Sequence, residues 1–262
     1  MSPLVKDLAR RLIPEEFQPP PVGASRRLVA RTGYFRLRTR VAARGDRIPD
    51  ERLYQPLYSP WLGDPDFERA FAATAGRTLV SRDRCFVLWR TLQQALALDG
   101  EVLECGVFRG GTALLEATAI REAGRERPLH LVDSFAGLPG TTGGVDRLSE
   151  GDFRATSADD VRRALAPFPF AHVHQGFIPE VLEGIEIGPL AWTYIDVDIY
   201  AAVRDCLAFA YPRLLPGGTI VLDDYGFPSC PGVRRAMDEF FDGRPEMPLC
   251  LPTGQALVTK LP

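Results

Sequence analysis

The chain has 262 residues, is 45% hydrophobic and 25% charged, and carries a formal net charge of −3. That length buries a real core in one large α/β domain with an extension, and so weak a field excludes a strongly basic nucleic-acid binder. Lysine occurs only at Lys6 and Lys260, which excludes chemistry that needs a central lysine.

The five cysteines, at Cys85, Cys105, Cys206, Cys230 and Cys250, form no CxxC pair. A reducing compartment then fits better than a disulfide framework or a zinc site. Charges break every apolar stretch near the N-terminus, and no run of 18 apolar residues exists. No secretory leader or membrane span is expected, and the cytoplasm is the default location.

Residues 1–80 read as an N-terminal extension and lid ahead of a regular domain at 81–262. The extension holds QPPPVG (18–23), an arginine-rich stretch (26–47) and the aromatic YQPLYSPWLGDPDF (54–67). Prolines and glycines interrupt any long periodicity there. The arginine stretch reads as a solvated face or a homo-oligomer surface, with an acidic partner or nucleic acid as the alternative. Tyr54, Tyr58, Trp61 and Phe67 read as packing or as a lid over a ligand.

From residue 81 the pattern alternates. Helical spacing covers 84–98, 112–123, 158–165, 179–183, 202–214 and 233–241, with Ser157 as an N-cap. Short apolar strands are expected at 102–105, 129–132, 171–175, 192–195 and 219–222, and two closing strands at 248–251 and 255–260. Such alternation predicts a doubly wound α/β fold around a mostly parallel seven-stranded sheet.

Ligands of such folds lie beyond the carboxyl ends of the strands. The first strand ends in ECGVFRGGT (104–112), where Gly106, Gly110 and Gly111 allow a tight turn and close approach to a ligand. The spacing differs from the G-x-G-x-x-G of dinucleotide enzymes. The second strand ends at Asp133 in LVDSFAGLP (131–139), where a carboxylate can accept from ribose hydroxyls. No Walker-type sequence is present, and Glu104 would repel a pyrophosphate. An acid there suits a cationic sulfonium carrying an amino group, which favours S-adenosylmethionine over NAD or ATP.

The fourth strand runs into TYIDVDIY (193–200) and the fifth into VLDDYGFP (221–228), placing Asp196, Asp198, Asp223 and Asp224 at neighbouring strand ends. Four converging carboxylates repel unless a cation or protons intervene. A hard divalent cation, magnesium or manganese, is the expectation, with loop acids or helix caps as the alternative. Bound to such a cation, a hydroxyl becomes more acidic, and a nearby carboxylate can take its proton. If the strand continues, Asp196 and Asp198 share a face.

ECGVFRGGT, LVDSFAGLP, TYIDVDIY and LPGGTIVLDDYG, with YSPWLG and TLVSRDRCFVLW before them, resemble the macrocin and mycinamicin O-methyltransferase family over roughly residues 54–260. The resemblance implies a class I, Rossmann-like methyltransferase that methylates a sugar hydroxyl of a glycosylated natural product, as in antibiotic biosynthesis. It implies Asp196, Asp223 and Asp224 as metal ligands and Asp198 as the general base. It places Glu104, Gly106 and Thr112 in the cofactor loop and Asp133 on the ribose. Ser134 and Phe135 would border the adenosine. HQGFIPEVL (174–182), with Gly176 and Phe177, would flank the cofactor. Val197 stands where the family commonly has glycine. His130, His172 and His174 read as core or strand-surface residues.

Two rivals come from other classes. A short-chain nicotinamide oxidoreductase needs a Tyr-x-x-x-Lys pair, and no lysine lies between residues 7 and 259. A non-catalytic binding or assembly protein would be expected to show damage to the carboxylate set, and none is visible. A catechol-type diol remains an alternative acceptor, since a metal can equally bind an aromatic diol.

Overall fold

Two prolines open the described part of the chain. Pro60 starts a 3-10 turn, Pro60–Gly63, and Pro65 starts helix α1, Pro65–Ala72, where the Asp64 side chain accepts from the Phe67 N–H at 3.0 Å. Proline suits a first helical turn because the N–H it lacks has no partner there anyway. The structure, a computed structural model, describes residues 59–262. QPPPVG, the arginine-rich stretch, Tyr54 and Tyr58 lie outside those residues.

The remaining elements follow the expected alternation. They are α2 (Arg82–Ala95), β1 (Glu101–Cys105), α3 (Gly111–Glu122), β2 (Leu129–Asp133), α4 (Ala158–Leu165), β3 (Ala171–Gln175), α5 (Glu180–Glu183) and β4 (Leu190–Ile195). Then come α6 (Tyr200–Arg213), β5 (Leu214–Leu222), α7 (Pro231–Phe241), β6 (Leu249–Cys250) and β7 (Ala256–Thr259). Ser157 caps α4 as its sequence suggests, accepting from the Asp160 N–H at 3.4 Å.

The seven strands form one sheet in the order β3-β2-β1-β4-β5-β7-β6. β1 to β5 pair in parallel, and β7 runs antiparallel to β5 and β6. Alternation along the strands splits the core into two layers. Val102, Leu131, Trp192, Tyr194 and Val221 face α1 to α4. Leu103, Cys105, Val132, Ile195 and Leu222 face α6 and α7. Phe67 is wholly buried against Phe71, Phe86 and Trp89, and Trp61 sits edge-on to Phe86. These two aromatics pack within the core layer.

One strand differs from expectation. The strand expected at 219–222 begins at Leu214, so Pro216-Gly217-Gly218, placed between helix and strand by the sequence, lies inside β5. Gly217 takes φ +81°, and the register between β4 and β5 shifts nearby. Its N–H donates to the Lys260 carbonyl at 2.8 Å, while the Lys260 N–H donates to Gly218 at 2.8 Å. A bulge held from the end of β7 replaces the break that the composition suggests.

The chain's three histidines gather on β2 and β3. His130 Nδ1 lies 3.1 Å from His174 Nε2, and its Nε2 lies 3.0 Å from Glu101. Burial lowers the His130 ring and holds the His174 ring down at about 4, so these two pack as neutral rings on the strands, as their sequence context suggests.

A second titratable cluster lies inside the α3–β1 layer. Glu104 and Glu116 are both essentially inaccessible. The Thr112 hydroxyl donates to Glu104. Burial pushes the Glu104 carboxyl up to about 8 and, with the adjacent Glu104, pushes Glu116 well above the usual carboxylate range. Both folded-state values exceed the unfolded ones, so the pair's contribution is complete below the unfolded pKa and is lost as pH rises through about 8. Glu116→Gln should therefore be more stable than the parent at about pH 9, by on the order of 1–3 kcal/mol, with the gap closing near pH 5. Denaturant unfolding at both pH values tests this, and a gap that widens towards acid would refute proton sharing.

Candidate active site

The parallel ladder continues one residue beyond the strands, and this continuation builds the site. Gly176 N donates to Asp133 O at 3.0 Å, Gly106 N to Val132 O at 2.8 Å, Asp196 N to Cys105 O at 2.8 Å, and Asp223 N to Ile195 O at 2.9 Å. Gly106 has φ +92°, and a Cβ there would meet the Asp196 carbonyl oxygen at 1.8 Å. Only glycine fits that crossing. Beyond this row opens a cavity of about 380 Å³.

Gly106, Thr112, Asp133, Ser134, Gly176 and Phe177 line one part of it. Asp133 Oδ2 accepts from the Val107 and Phe108 N–H groups, both at 2.8 Å, and Oδ1 accepts from Phe135 N at 2.7 Å. The acid thus shapes both loops of the site, and one acceptor position remains, on Oδ1. The Ser134 hydroxyl donates to the Gly137 carbonyl at 2.8 Å.

Two expected cofactor residues are placed elsewhere. Glu104 is fully inaccessible and lies beneath Thr112, which is the residue that reaches the cavity. Phe135 turns inward at φ +51° and packs in the core with 8% exposure. In both cases the strand or turn parity directs the side chain away from the opening.

Asp196, Asp198, Asp223 and Asp224 border the same cavity. Carboxylate oxygens of Asp196, Asp223 and Asp224 lie within 4.8 Å of one another. Asp198 groups with Asp224 and Cys230 within the same limit. The expectation that Asp196 and Asp198 share the face of a continuing strand is corrected. β4 stops at Ile195, the Ile199 N–H closes back on Val197 O at 2.7 Å, and Asp198 takes a left-handed φ of +62°. Asp224 does the same at φ +57°. The turn, rather than strand parity, aims Asp198 at Asp224.

Burial and mutual repulsion raise three of these carboxyls, Asp196, Asp198 and Asp223. Asp196 is pushed well up by burial and then by Asp223, Asp198 and Asp224. Asp198 is pushed up to about 8 by burial and then by Asp224. Asp223 reaches about 6, because the Arg84 guanidinium opposes its burial.

Arg84 was not among the residues singled out from sequence. Its guanidinium bonds to Asp223, lies 3.6 Å from Asp224, and is itself only 13% exposed. It sits four residues before the wholly buried Leu88 on the same face of α2. An arginine in line with a buried stripe was the available signal. Two further supports were missed. Gln255 donates to Asp223 at 2.9 Å, and the Tyr194 hydroxyl donates to Asp196 at 3.0 Å. Among the described residues no helix is long and apolar enough to cross a membrane.

Residues 70–246 match the family model described as "Macrocin-O-methyltransferase (TylF)". Mycinamicin III 3''-O-methyltransferase of Micromonospora griseorubida is 30% identical over 185 residues, which cover 64% of this chain and 72% of that protein. A tetracenomycin-C rhamnosyl 4'-O-methyltransferase of Streptomyces olivaceus is 29% identical over 186 residues, 64% of this chain and 71% of that protein. Among solved structures, the O-methyltransferase NovP superposes with a TM-score of 0.65 at 23% identity, covering 71% of this chain and 83% of that one, and shares the fold. The chain therefore belongs to the macrocin O-methyltransferase (TylF) family of S-adenosylmethionine-dependent O-methyltransferases.

Proposed function

We propose that this enzyme methylates a hydroxyl on a sugar of a glycosylated natural product, assisted by a divalent cation, magnesium or manganese. The observation that carries the reading is the meeting, in one cavity, of the glycine turn after β1 with four carboxylates after β4 and β5. The acceptors of its relatives, mycinamicin and a tetracenomycin rhamnoside, suggest the acceptor class.

The donor set fits a hard cation. Asp196, Asp223 and Asp224 converge within 4.8 Å, all are oxygen ligands, and Arg84 alone offsets only part of their charge. A divalent cation there supplies the field that makes a neighbouring hydroxyl more acidic. S-adenosylmethionine would supply the methyl group: a C–O bond to the acceptor would form as the C–S bond breaks, with S-adenosylhomocysteine leaving and the hydroxyl proton passing to the chain.

The chain's own residues do the rest. Asp198, across the turn from Asp196, takes the hydroxyl proton on a carboxylate oxygen. Tyr194 and Gln255 orient Asp196 and Asp223. Asp133 offers its remaining acceptor position to the ribose. Thr112, Ser134, Gly176 and Phe177 bound the donor, and Glu104 acts through its hydrogen bond with Thr112.

Asp133→Ala should weaken S-adenosylhomocysteine binding by roughly 1–3 kcal/mol, the scale for lost charged hydrogen bonds. Unchanged affinity in calorimetry removes Asp133 from the cofactor contacts. Asp198→Asn should retain metal and cofactor binding but lower turnover by about 10²-fold or more. Asp223→Ala should lose metal binding and activity together. Chelator should abolish turnover and magnesium or manganese restore it, whereas full activity of metal-stripped enzyme in excess chelator would sink the metal reading.

A further inference from the structure

Beside the cavity lies an open hollow lined by Arg77, Arg109, Arg154, Arg163, Ser157 and Asp160, among others. Arg77 lines both spaces. The hollow is a built junction of three segments. Arg77 Nη1 donates to the Arg109 carbonyl at 3.2 Å, Arg109 Nε donates to the Ala155 carbonyl at 2.8 Å, and the Thr156 hydroxyl donates to the Phe108 carbonyl. These bonds fix the backbone and leave guanidinium N–H groups free on each arginine.

The charge there is unbalanced. Among the described residues Asp160 is the one acid of the lining, and Arg163 already holds it in an ion pair. Arg77, Arg109 and Arg154 have no carboxylate partner among the described residues. Three guanidiniums around one concavity repel one another unless an anion enters. Their planar forks match the oxygens of a phosphate. The N-terminus of α4 adds little, since Ser157 already caps it and Asp159 and Asp160 fill its first turn.

The geometry points to a phosphate-binding site in this hollow, taking a phosphate or diphosphate group next to the transferase cavity. Resting on the sugar-methylation reading, an acceptor that carries phosphate beside its sugar spans both spaces past Arg77. A free phosphate fills the hollow alone.

Calorimetric titration of the full chain with pyrophosphate, without added divalent cation, tests the site. Binding is expected in the parent, weakened about tenfold or more in Arg154→Gln and further in Arg109→Gln/Arg154→Gln. It should also weaken with added salt. Arg154 does not line the cofactor cavity, so S-adenosylhomocysteine should bind Arg154→Gln as it binds the parent. A nucleoside-diphosphate sugar that binds tighter than the neutral methyl glycoside, and loses that advantage in the double variant, identifies an acceptor-borne phosphate. Equal binding of the two sugars, with pyrophosphate still bound, identifies a free phosphate. No pyrophosphate binding at about 10 mM, or binding indifferent to Arg154→Gln, overturns the site. Failure of S-adenosylhomocysteine to bind the parent counts instead against the transferase reading.

Discussion

The row of backbone hydrogen bonds one residue past the strand ends is the constraint on which the site depends. It carries the parallel ladder from β3 through β5 out of the sheet and into the loops. Gly176, Gly106, Asp196 and Asp223 are consequently set by the strand register rather than by loop preference. β1 lies between β2 and β4, which is where the connections reverse and the crevice opens. The close approach of Gly106 to the Asp196 carbonyl ties the cofactor loop to the acid loop. A shift in either is felt by both.

Two groups of buried acids flank that row, and they are stabilised in different ways. Glu104 and Glu116 lie below it in an apolar layer where neither has a cation. Protons hold that pair together. Asp196, Asp198, Asp223 and Asp224 lie above it, with Arg84 against Asp223 and Asp224. Cationic charge is the remedy there, because the cavity gives access to solvent and ions. Burial alone is too costly for four carboxylates. The contrast is one of access: the glutamate pair has no opening, whereas the four aspartates border the cavity.

The sheet, its helices and the four strand-end aspartates were legible because period 2 and period 3.6 survive in the short apolar runs and because ligands gather at strand ends. Ser157 was legible as a cap for the same local reason. What failed depends on non-local geometry. The β5 bulge needs Lys260, more than forty residues away in sequence. Phe135 looked like a ligand contact until its left-handed φ turned it inward. Asp198 looked like a strand residue until the Val197–Ile199 turn redirected it. Arg84 and Gln255 reach the acids from a helix before the sheet and a loop at the chain's other end, a relation that no single window of sequence displays.

The left-handed turns at Asp198 and Asp224 carry a consequence for how this protein drifts. Aspartate is among the few L-residues that tolerate such a φ, and asparagine is another. Asparagine at either position keeps the turn and removes a negative charge from a crowded, desolvated group. A fold that is sturdier, and poorer at holding a cation, therefore lies one substitution away at each of these two sites. On stability alone, that exchange would be favoured at both positions.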